Sequence, residues 1–315
     1  MELNRFYIGD NKQILEGIDK DSVQLIYMDP PFFTGRDFYD FNDKFDSIEY
    51  FSYEFIEPRI RLCHSILKKD GVIVFHTDPK ISHYMRMVLD RVFGFGNFLN
   101  EIIWYSGGNK KTKKKLGRYH DSLLVYSKGK NWKYNPIYES YENNPEYMKT
   151  TKLCPIRNKL YVTTSLINNQ PNVVQRKNLR YEWNGHFRQW HISKEKMISL
   201  DADNRLQYND KGIPRIKRYL DEMEGIPLKD IWMDINSIQM GEKVDYATQK
   251  PVKLLERIIR LFSDEEDIVM DIFAGTGTTG RAALALNRKY ILMDTNEEGK
   301  KFFDKILEKR IANEN

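Results

Sequence analysis

The sequence predicts an α/β fold: an open parallel sheet covered by helices on both faces, built in two pieces around an inserted unit. Three observations predict it. Short apolar runs alternate with helical stretches over residues 1–130, that rhythm disappears over 131–245, and it resumes over 246–315. The 315 residues suffice for one large domain with a smaller insertion, and 41% hydrophobic residues are ordinary for a buried core.

Taken in order, Arg5–Ile8 and Val23–Met28 read as buried strands separated by a helix over Asn11–Ile18. A helix over Tyr53–Leu67 leads through Lys69-Asp70-Gly71 into a strand at Val72–Phe75, and a second helix follows at Ile81–Val92. Strands are expected at Phe98–Tyr105 and Ser122–Ser127. The middle stretch is polar and aromatic, with turn signals at Asn143-Asn144-Pro145, Asn168-Asn169-Gln170-Pro171 and Asn209-Asp210-Lys211-Gly212. After it, Lys250–Phe262 reads as a helix whose Leu254, Leu255, Ile258, Ile259 and Phe262 form one apolar face. A strand at Ile268–Ile272, a Gly-rich turn, a helix at Thr278–Leu286, a strand at Tyr290–Met293 and a terminal helix complete the chain.

Composition narrows the setting. No apolar run reaches membrane-spanning length, so no membrane association is expected, and the N-terminus lacks a secretory pattern. Cys63 and Cys154 are too few for a disulfide framework or a four-cysteine zinc site, so a cytoplasmic protein without a structural metal is expected. The net charge of +5 neither demands nor excludes nucleic acid. The charge is uneven, however: between Glu101 and Lys130 eight Lys or Arg face two acids, and Lys110, Lys111, Lys113, Lys114 and Lys115 follow Gly107-Gly108. That cluster is either a solvated loop tip or an arm that touches phosphates.

Two motifs carry chemistry. In Asp271-Ile272-Phe273-Ala274-Gly275-Thr276-Gly277-Thr278-Thr279-Gly280, glycines at a strand end let the backbone approach a ligand, and the following helix presents free N–H groups. Gly275, Gly277 and Gly280 have the spacing of a dinucleotide fingerprint, with Asp294 ending the next strand. Asp271, immediately before the turn, instead suits a ligand with an amino group, and S-adenosylmethionine carries both an amino acid and a nucleoside. In Asp29-Pro30-Pro31-Phe32, directly after the strand Val23–Met28, the prolines stiffen the backbone and leave carbonyls free to accept. A carboxylate and a carbonyl side by side can each accept one hydrogen of an –NH2 group and free its lone pair, while an aromatic ring stacks on a flat base.

Together these motifs resemble the DNA amino-methyltransferases (adenine-N6/cytosine-N4), in the beta-type subgroup where the catalytic motif precedes the cofactor motif and the recognition region lies between them. Asp29-Pro30-Pro31-Phe32 is similar to the family's Asp-Pro-Pro-Tyr/Phe signature and Phe273-Ala274-Gly275-Thr276-Gly277 to its Phe-x-Gly-x-Gly signature. Thr248-Gln249-Lys250-Pro251, Gly9-Asp10 and His120–Lys128 resemble flanking elements of the same group. The likeness covers about 6–128 and 247–294. It implies a Rossmann-like S-adenosylmethionine-dependent methyltransferase fold, circularly permuted, so that the chain starts at the usual third strand and ends with the first two.

The resemblance also implies roles. Asp29 and the Pro30 carbonyl would hold the target amine, within the Asp29–Phe32 loop whose Phe32 stacks on the base. Asp271, Phe273, Gly275, Thr276 and Gly277 would line the cofactor pocket. Lys250 and Thr248 would hold the methionine carboxylate, Asp294 the ribose hydroxyls and Asp10 the adenine edge. Asp rather than Ser at position 29 points to adenine over cytosine-N4, and the absence of a cysteine after the prolines leaves a covalent cytosine-C5 route unsupported. The substrate implied is double-stranded DNA with a flipped base. Candidate DNA contacts in the insertion are Arg176, Lys177, Arg180, Arg188, Arg215, Lys217 and Arg218, with Trp183 and Trp190 as either gap-filling or core residues. A cognate restriction endonuclease and a homodimer stay open. So do cytosine-N4 as target, RNA as substrate, a nicotinamide-dependent oxidoreductase resting on the glycine spacing, and a DNA-binding protein without catalysis.

Overall fold

The structure is a computed structural model; it describes residues 1–36, 43–107, 116–168, 177–236 and 249–314. In chain order the strands are β1 (Arg5–Ile8), β2 (Val23–Met28), β3 (Leu67–Thr77), β4 (Phe98–Tyr105), β5 (His120–Ser127), β6 (Tyr138–Glu139), β7 (Lys152–Cys154), β8 (Lys159–Ser165), β9 (Arg180–Trp183), β10 (His186–Gln189), β11 (Leu206–Tyr208), β12 (Pro214–Tyr219), β13 (Ile226–Pro227), β14 (Ile231–Trp232), β15 (Ile268–Asp271) and β16 (Lys289–Asp294). The α-helices are α1 (Asn11–Leu15), α2 (Glu57–Ile66), α3 (Ser82–Phe93), α4 (Pro145–Met148), α5 (Lys194–Ala202), α6 (Val252–Phe262), α7 (Thr278–Ala285) and α8 (Glu297–Glu314). No helix among the described residues is long and apolar enough to cross a membrane.

The chain divides into two compact units, Met1–Pro136 with Lys229–Asn315, and Ile137–Leu228. The second unit is narrower than the 131–245 stretch read as an insertion. Lys133 and Asn135 donate backbone hydrogen bonds to Asp70 and Leu261, which ties the segment before it to the first unit. Beyond Leu228, β14 pairs with β4 and joins the same sheet.

Among the described residues, the first unit holds an eight-stranded sheet in the order β1-β16-β15-β2-β3-β5-β4-β14. The chain's first strand lies parallel to its last, with Ile8 beside Asp294, and β15 lies parallel to β2. The permuted order is therefore a property of the fold: the N-terminal strand sits at the sheet's edge, and the C-terminal pair β15–β16 fills the gap between it and β2. β2 is buried along its whole length, as a central strand with both faces covered requires. Ile26, Met28, Ile73, Phe75, Leu124 and Tyr126 form one core cluster with Ile60 and Cys63 of α2 and Met85, Val88 and Leu89 of α3. Helices α6 and α7 pack together and touch the strands β2, β3, β15 and β16.

Some local features depart from the sequence reading. The sheet is mixed, because β5 runs antiparallel to both β3 and β4; no helix lies between β4 and β5 among the described residues, and a parallel return would need such a crossover. Lys69-Asp70-Gly71 does not precede β3 but lies inside it, where the β2–β3 register jumps from Val23↔Leu67 to Leu25↔Val72. The extra residues form a bulge. The helix read from Tyr53 begins instead as a π-helical segment, Tyr50–Ile56, that runs directly into α2.

The second unit has an antiparallel sheet in the order β11-β12-β8-β7 and a β9–β10 hairpin. Its core gathers Leu166, Tyr181, Trp190, Met197, Leu200 and Leu206. The Asn209–Gly212 signal is the β11–β12 turn: Asn209 Oδ1 accepts from the Lys211 and Ile213 amides. Asn144 caps α4 through the Tyr147 amide.

Candidate active site

Parallel pairing brings the two motifs together. Asp271 ends β15 and lies beside Tyr27 of β2, so Asp29 and Asp271 project from neighbouring strand ends although they are far apart in sequence. Asp294 ends β16, and Asp10 follows β1, continuing the same rim. These ends open onto a cavity of about 540 Å³, a size typical of small-ligand sites. Its lining includes Asp10, Asp29, Pro30, Pro31, Phe32, Lys250, Asp271, Phe273, Gly275, Thr276 and Asp294 from the sequence-derived set. Thr248, Arg176 and the lysines from Lys110 to Lys115 fall outside the described residues.

One wall is the Gly-rich turn. Gly275 and Gly277 have φ of 51° and 73°, the left-handed region that suits glycine. Gly275 N donates to Asp294 Oδ2 at 2.7 Å, which pins the turn to β16. Gly277 is absent from the lining: a Cβ there would strike the Phe303 ring, so its task is to let α8 pack against the turn. At Gly299, a Cβ would fall on the Gly275 carbonyl oxygen. Gly299→Ala is therefore expected to displace the turn, costing about 1–3 kcal/mol of stability; urea denaturation measures it.

Asp271 is buried beneath this turn. Its Oδ1 accepts from Phe273 N at 3.0 Å and its Oδ2 from Thr279 Oγ1 at 2.5 Å. Burial pushes its carboxyl up to about 7, aided by the charges of Asp29 and Asp294, against the two hydrogen bonds that favour ionisation. A carboxylate has lone pairs to spare for another donor. A cationic amine in the cavity would supply the charge that burial denies it, so the site fits the ammonium of S-adenosylmethionine.

The Asp29–Phe32 loop lines the same cavity. Asp29 Oδ2 accepts from Lys250 Nζ at 2.5 Å, with the two side chains 14% and 12% exposed. Lys250 was expected at a ligand carboxylate; here it neutralises Asp29, because two opposite charges sharing a partly dehydrated cavity pair with each other. Asp29 Oδ1 is buried with no hydrogen-bond partner among the described residues. Phe32 lies under Lys250 Nζ, 5.2 Å from its ring centre.

The loop owes its shape to a residue that motif reading missed. Asp43, 1% exposed, accepts from the amides of Phe33 and Thr34 at 2.7 and 2.8 Å and from the Thr34 hydroxyl at 2.5 Å. These bonds hold Phe33 at φ 53°. Phe45 and Phe55 were also missed; they line the cavity and pack against each other, with centroids 5.0 Å apart. Phe55 falls in the helix read from Tyr53, but the π-helical winding of Tyr50–Ile56 changes which side chains share a face. Asp10 is partly committed to structure: its Oδ1 caps α1 through Lys12 N and pairs with Arg59 at 3.0 Å. Asn11, unflagged, bridges Arg59 to the Ile272 carbonyl at 2.6 and 2.7 Å.

In the second unit, Arg188 and Arg218 are exposed, and Arg218 Nε reaches Thr164 Oγ1 at 3.2 Å. Arg215 is bound to Thr163 and Lys217 to the Asn204 carbonyl. Trp190 is fully buried and donates to the Tyr181 carbonyl at 3.0 Å, so it is core rather than a gap-filling ring.

Comparison with known proteins agrees with this geometry. The chain is 29% identical over 314 residues to the type II methyltransferase M.EcaI of Enterobacter cloacae, covering 92% of this chain and 66% of that protein. It is 28% identical over 339 residues to the StyLTI Mod subunit, a type III restriction-modification enzyme component of Salmonella typhimurium, covering 91% of this chain and 50% of that one. The chain thus spans two thirds or less of the length of these curated relatives. A DNA modification methylase of Thermus thermophilus, solved in complex with S-adenosyl-L-methionine, superposes with a TM-score of 0.52 at 18% identity, over 95% of this chain and 90% of that one, and so shares its fold. A family model described as DNA methylase, of the N6/N4 type, matches residues 23–305, which include the Asp29–Phe32 loop and the Asp271–Gly280 turn, both contributing to the lining of the cavity. The chain belongs to this DNA methylase family.

Proposed function

We propose that this chain transfers a methyl group from S-adenosylmethionine directly to the N6 amine of adenine flipped out of double-stranded DNA. The observation that carries the reading is that one cavity is lined both by Asp29-Pro30-Pro31-Phe32 and by Asp271 and the Gly275 turn. When bound, S-adenosylmethionine supplies a methyl group already activated by its sulfonium. Asp271 would hold its ammonium, Asp294 its ribose hydroxyls and Asp10 its adenine edge. The Lys250 ammonium has three donors, so it can serve a ligand carboxylate, with Thr248, while remaining near Asp29. Asp29 Oδ1 and the Pro30 carbonyl would accept the two hydrogens of the target amine, and Phe32 would stack on the base. Alignment, not a covalent enzyme intermediate, is what the chain contributes.

Adenine is favoured over cytosine-N4 by the carboxylate at position 29. The Ile137–Leu228 unit is the proposed recognition region, with Arg180, Arg188 and Arg218 among its exposed cations. The likeness to a Mod subunit makes a cognate restriction endonuclease the partner to test by copurification. The reading of the base is tested by expressing the chain in a host lacking DNA methylation and digesting its DNA to nucleosides. N6-methyladenine is the expected product; N4-methylcytosine would move the target to cytosine, and no methylated base in DNA would sink the substrate.

A further inference from the structure

Behind Asp29 lies a buried polar cluster that the roles above leave unused. Across three neighbouring strands, β2, β3 and β5, the sheet sets Tyr27, His76 and Asp121 side by side, 2%, 0% and 7% exposed. His76 Nδ1 is 2.6 Å from the Tyr27 hydroxyl and 3.8 Å from Asp29 Oδ1, while Nε2 faces Asp121 Oδ2 at 3.4 Å. Trp104 closes the far side edge-on, with centroids 5.7 Å apart, and Phe32 covers the near side at 5.7 Å. Asp29 Oδ1, His76 Nε2 and Asp121 Oδ1 are buried atoms without a hydrogen bond among the described residues. Unsatisfied polar atoms gathered in one place are rare in a folded core.

The charges determine which nitrogen of His76 can change. Burial pushes the Tyr27 phenol well above its ordinary range, reinforced by the charges of Asp29, Asp271 and Asp121, so it stays neutral and donates to Nδ1. Burial raises the Asp121 carboxyl, but the close approach of His76, with the charges of Lys250 and Arg118, pulls it below its ordinary value, so it stays ionised. An ionised Asp121 keeps the ring proton on Nε2. That leaves the Nδ1 lone pair, on the Asp29 side, as the acceptor of the ring. The groups facing the ring are Tyr27, Asp29 and Asp121, with Lys250 beyond Asp29.

We propose that His76 is the proton acceptor behind Asp29, held in the required tautomer by Asp121; this rests on the amine-methylation reading above. The amine nitrogen forms its bond to the methyl carbon, and the carbon–sulfur bond breaks with its electron pair going to sulfur. The nitrogen then carries one proton too many. That proton passes to Asp29 Oδ1 and, once the 3.8 Å gap to His76 Nδ1 closes to hydrogen-bond length, on to that nitrogen as the Tyr27 hydroxyl turns its hydrogen away. The resulting imidazolium is held by Asp121, and Asp29 returns to its ionised form. The arrangement is a base oriented by a carboxylate, as in other sites where a ring nitrogen must collect a proton.

Two measurements test this. In the intact protein, nitrogen-15 imidazole NMR should show neutral His76 protonated on Nε2; Asp121→Asn should shift the population toward Nδ1–H. A wild-type His76 protonated on Nδ1 when neutral would overturn the proposal. Single-turnover methyl transfer, started from the enzyme–cofactor–DNA complex, should fall with acid in the wild type. His76→Gln should lose that limb and slow the step roughly a hundredfold, with cofactor affinity within about twofold of wild type. A His76→Gln variant that binds cofactor, keeps the acid limb and reacts at the wild-type rate would also overturn it. Failure of the wild type to methylate any base would sink the functional reading, and the NMR experiment would still report the tautomer.

Discussion

Asp29→Ala is expected to reduce methyl transfer at least a thousandfold, roughly, while S-adenosylmethionine binding survives. Losing one preorganised hydrogen-bonding group at a reacting centre costs on the order of 10²–10³. Asp29 is also the group against which the amine is aligned. The substitution has a second consequence, because Lys250 Nζ now rests on Asp29 Oδ2. Removing one member of a largely buried pair leaves the other uncompensated, at about 3–5 kcal/mol, so the ligand-free variant should melt lower. Freed of Asp29, Lys250 becomes available to the cofactor's carboxylate, and affinity should hold or rise. Asp29→Asn, of similar shape, should lose transfer with a smaller loss of stability. Calorimetric titration with cofactor and a methyl-transfer assay on the same preparations separate the two effects. An Asp29→Ala enzyme that transfers within tenfold of wild type would remove this residue from the chemistry.

The second large effect belongs to Asp271, whose carboxyl is pushed up to about 7 from an ordinary 3.8. Between those values the folded chain binds more proton than the unfolded one. The associated stability is therefore fully present below about pH 4 and is lost as pH rises through about 7, amounting to about 4 kcal/mol on the buried group. Asp271→Asn should flatten this dependence in urea denaturation. Cofactor binding has the opposite slope, because the ammonium needs an ionised carboxylate. Affinity should tighten up to tenfold per pH unit toward about 7, then weaken above about 8 as the ligand's amino group deprotonates. In Asp271→Asn the acid slope should vanish, with binding at pH 7.5 weaker by on the order of a hundredfold. A variant that binds as tightly as wild type would place the ammonium elsewhere.

Much of this was legible in the sequence because parallel strands buried on both faces read as continuous apolar runs. Val23–Met28 has the same limits in the structure, and the apolar face from Leu254 to Phe262 is buried as its spacing required. The order of the motifs carried the permutation. What escaped was non-local. The pairing of Lys250 with Asp29 depends on which opposite charges the cavity brings together. Asp43 acts through backbone amides of a loop ten and nine residues earlier, a contact that has no sequence signature. The bulge in β3 and the π-helical segment before α2 follow neither period of regular structure, so the turn and the helix start were misplaced. His76 carried no motif of its own; only the lateral order β2-β3-β5 places it between Tyr27, Asp29 and Asp121.

The most direct test of the central claim is transfer from methyl-labelled S-adenosylmethionine to unmethylated duplex DNA, with the products separated as nucleosides, for wild type, Asp29→Ala and Asp271→Asn. The account predicts label in N6-methyladenine for wild type and none for Asp29→Ala, which still binds cofactor. Asp271→Asn should recover part of its transfer when cofactor is raised to saturation. Wild-type protein that binds S-adenosylmethionine yet leaves every DNA base unlabelled would contradict it.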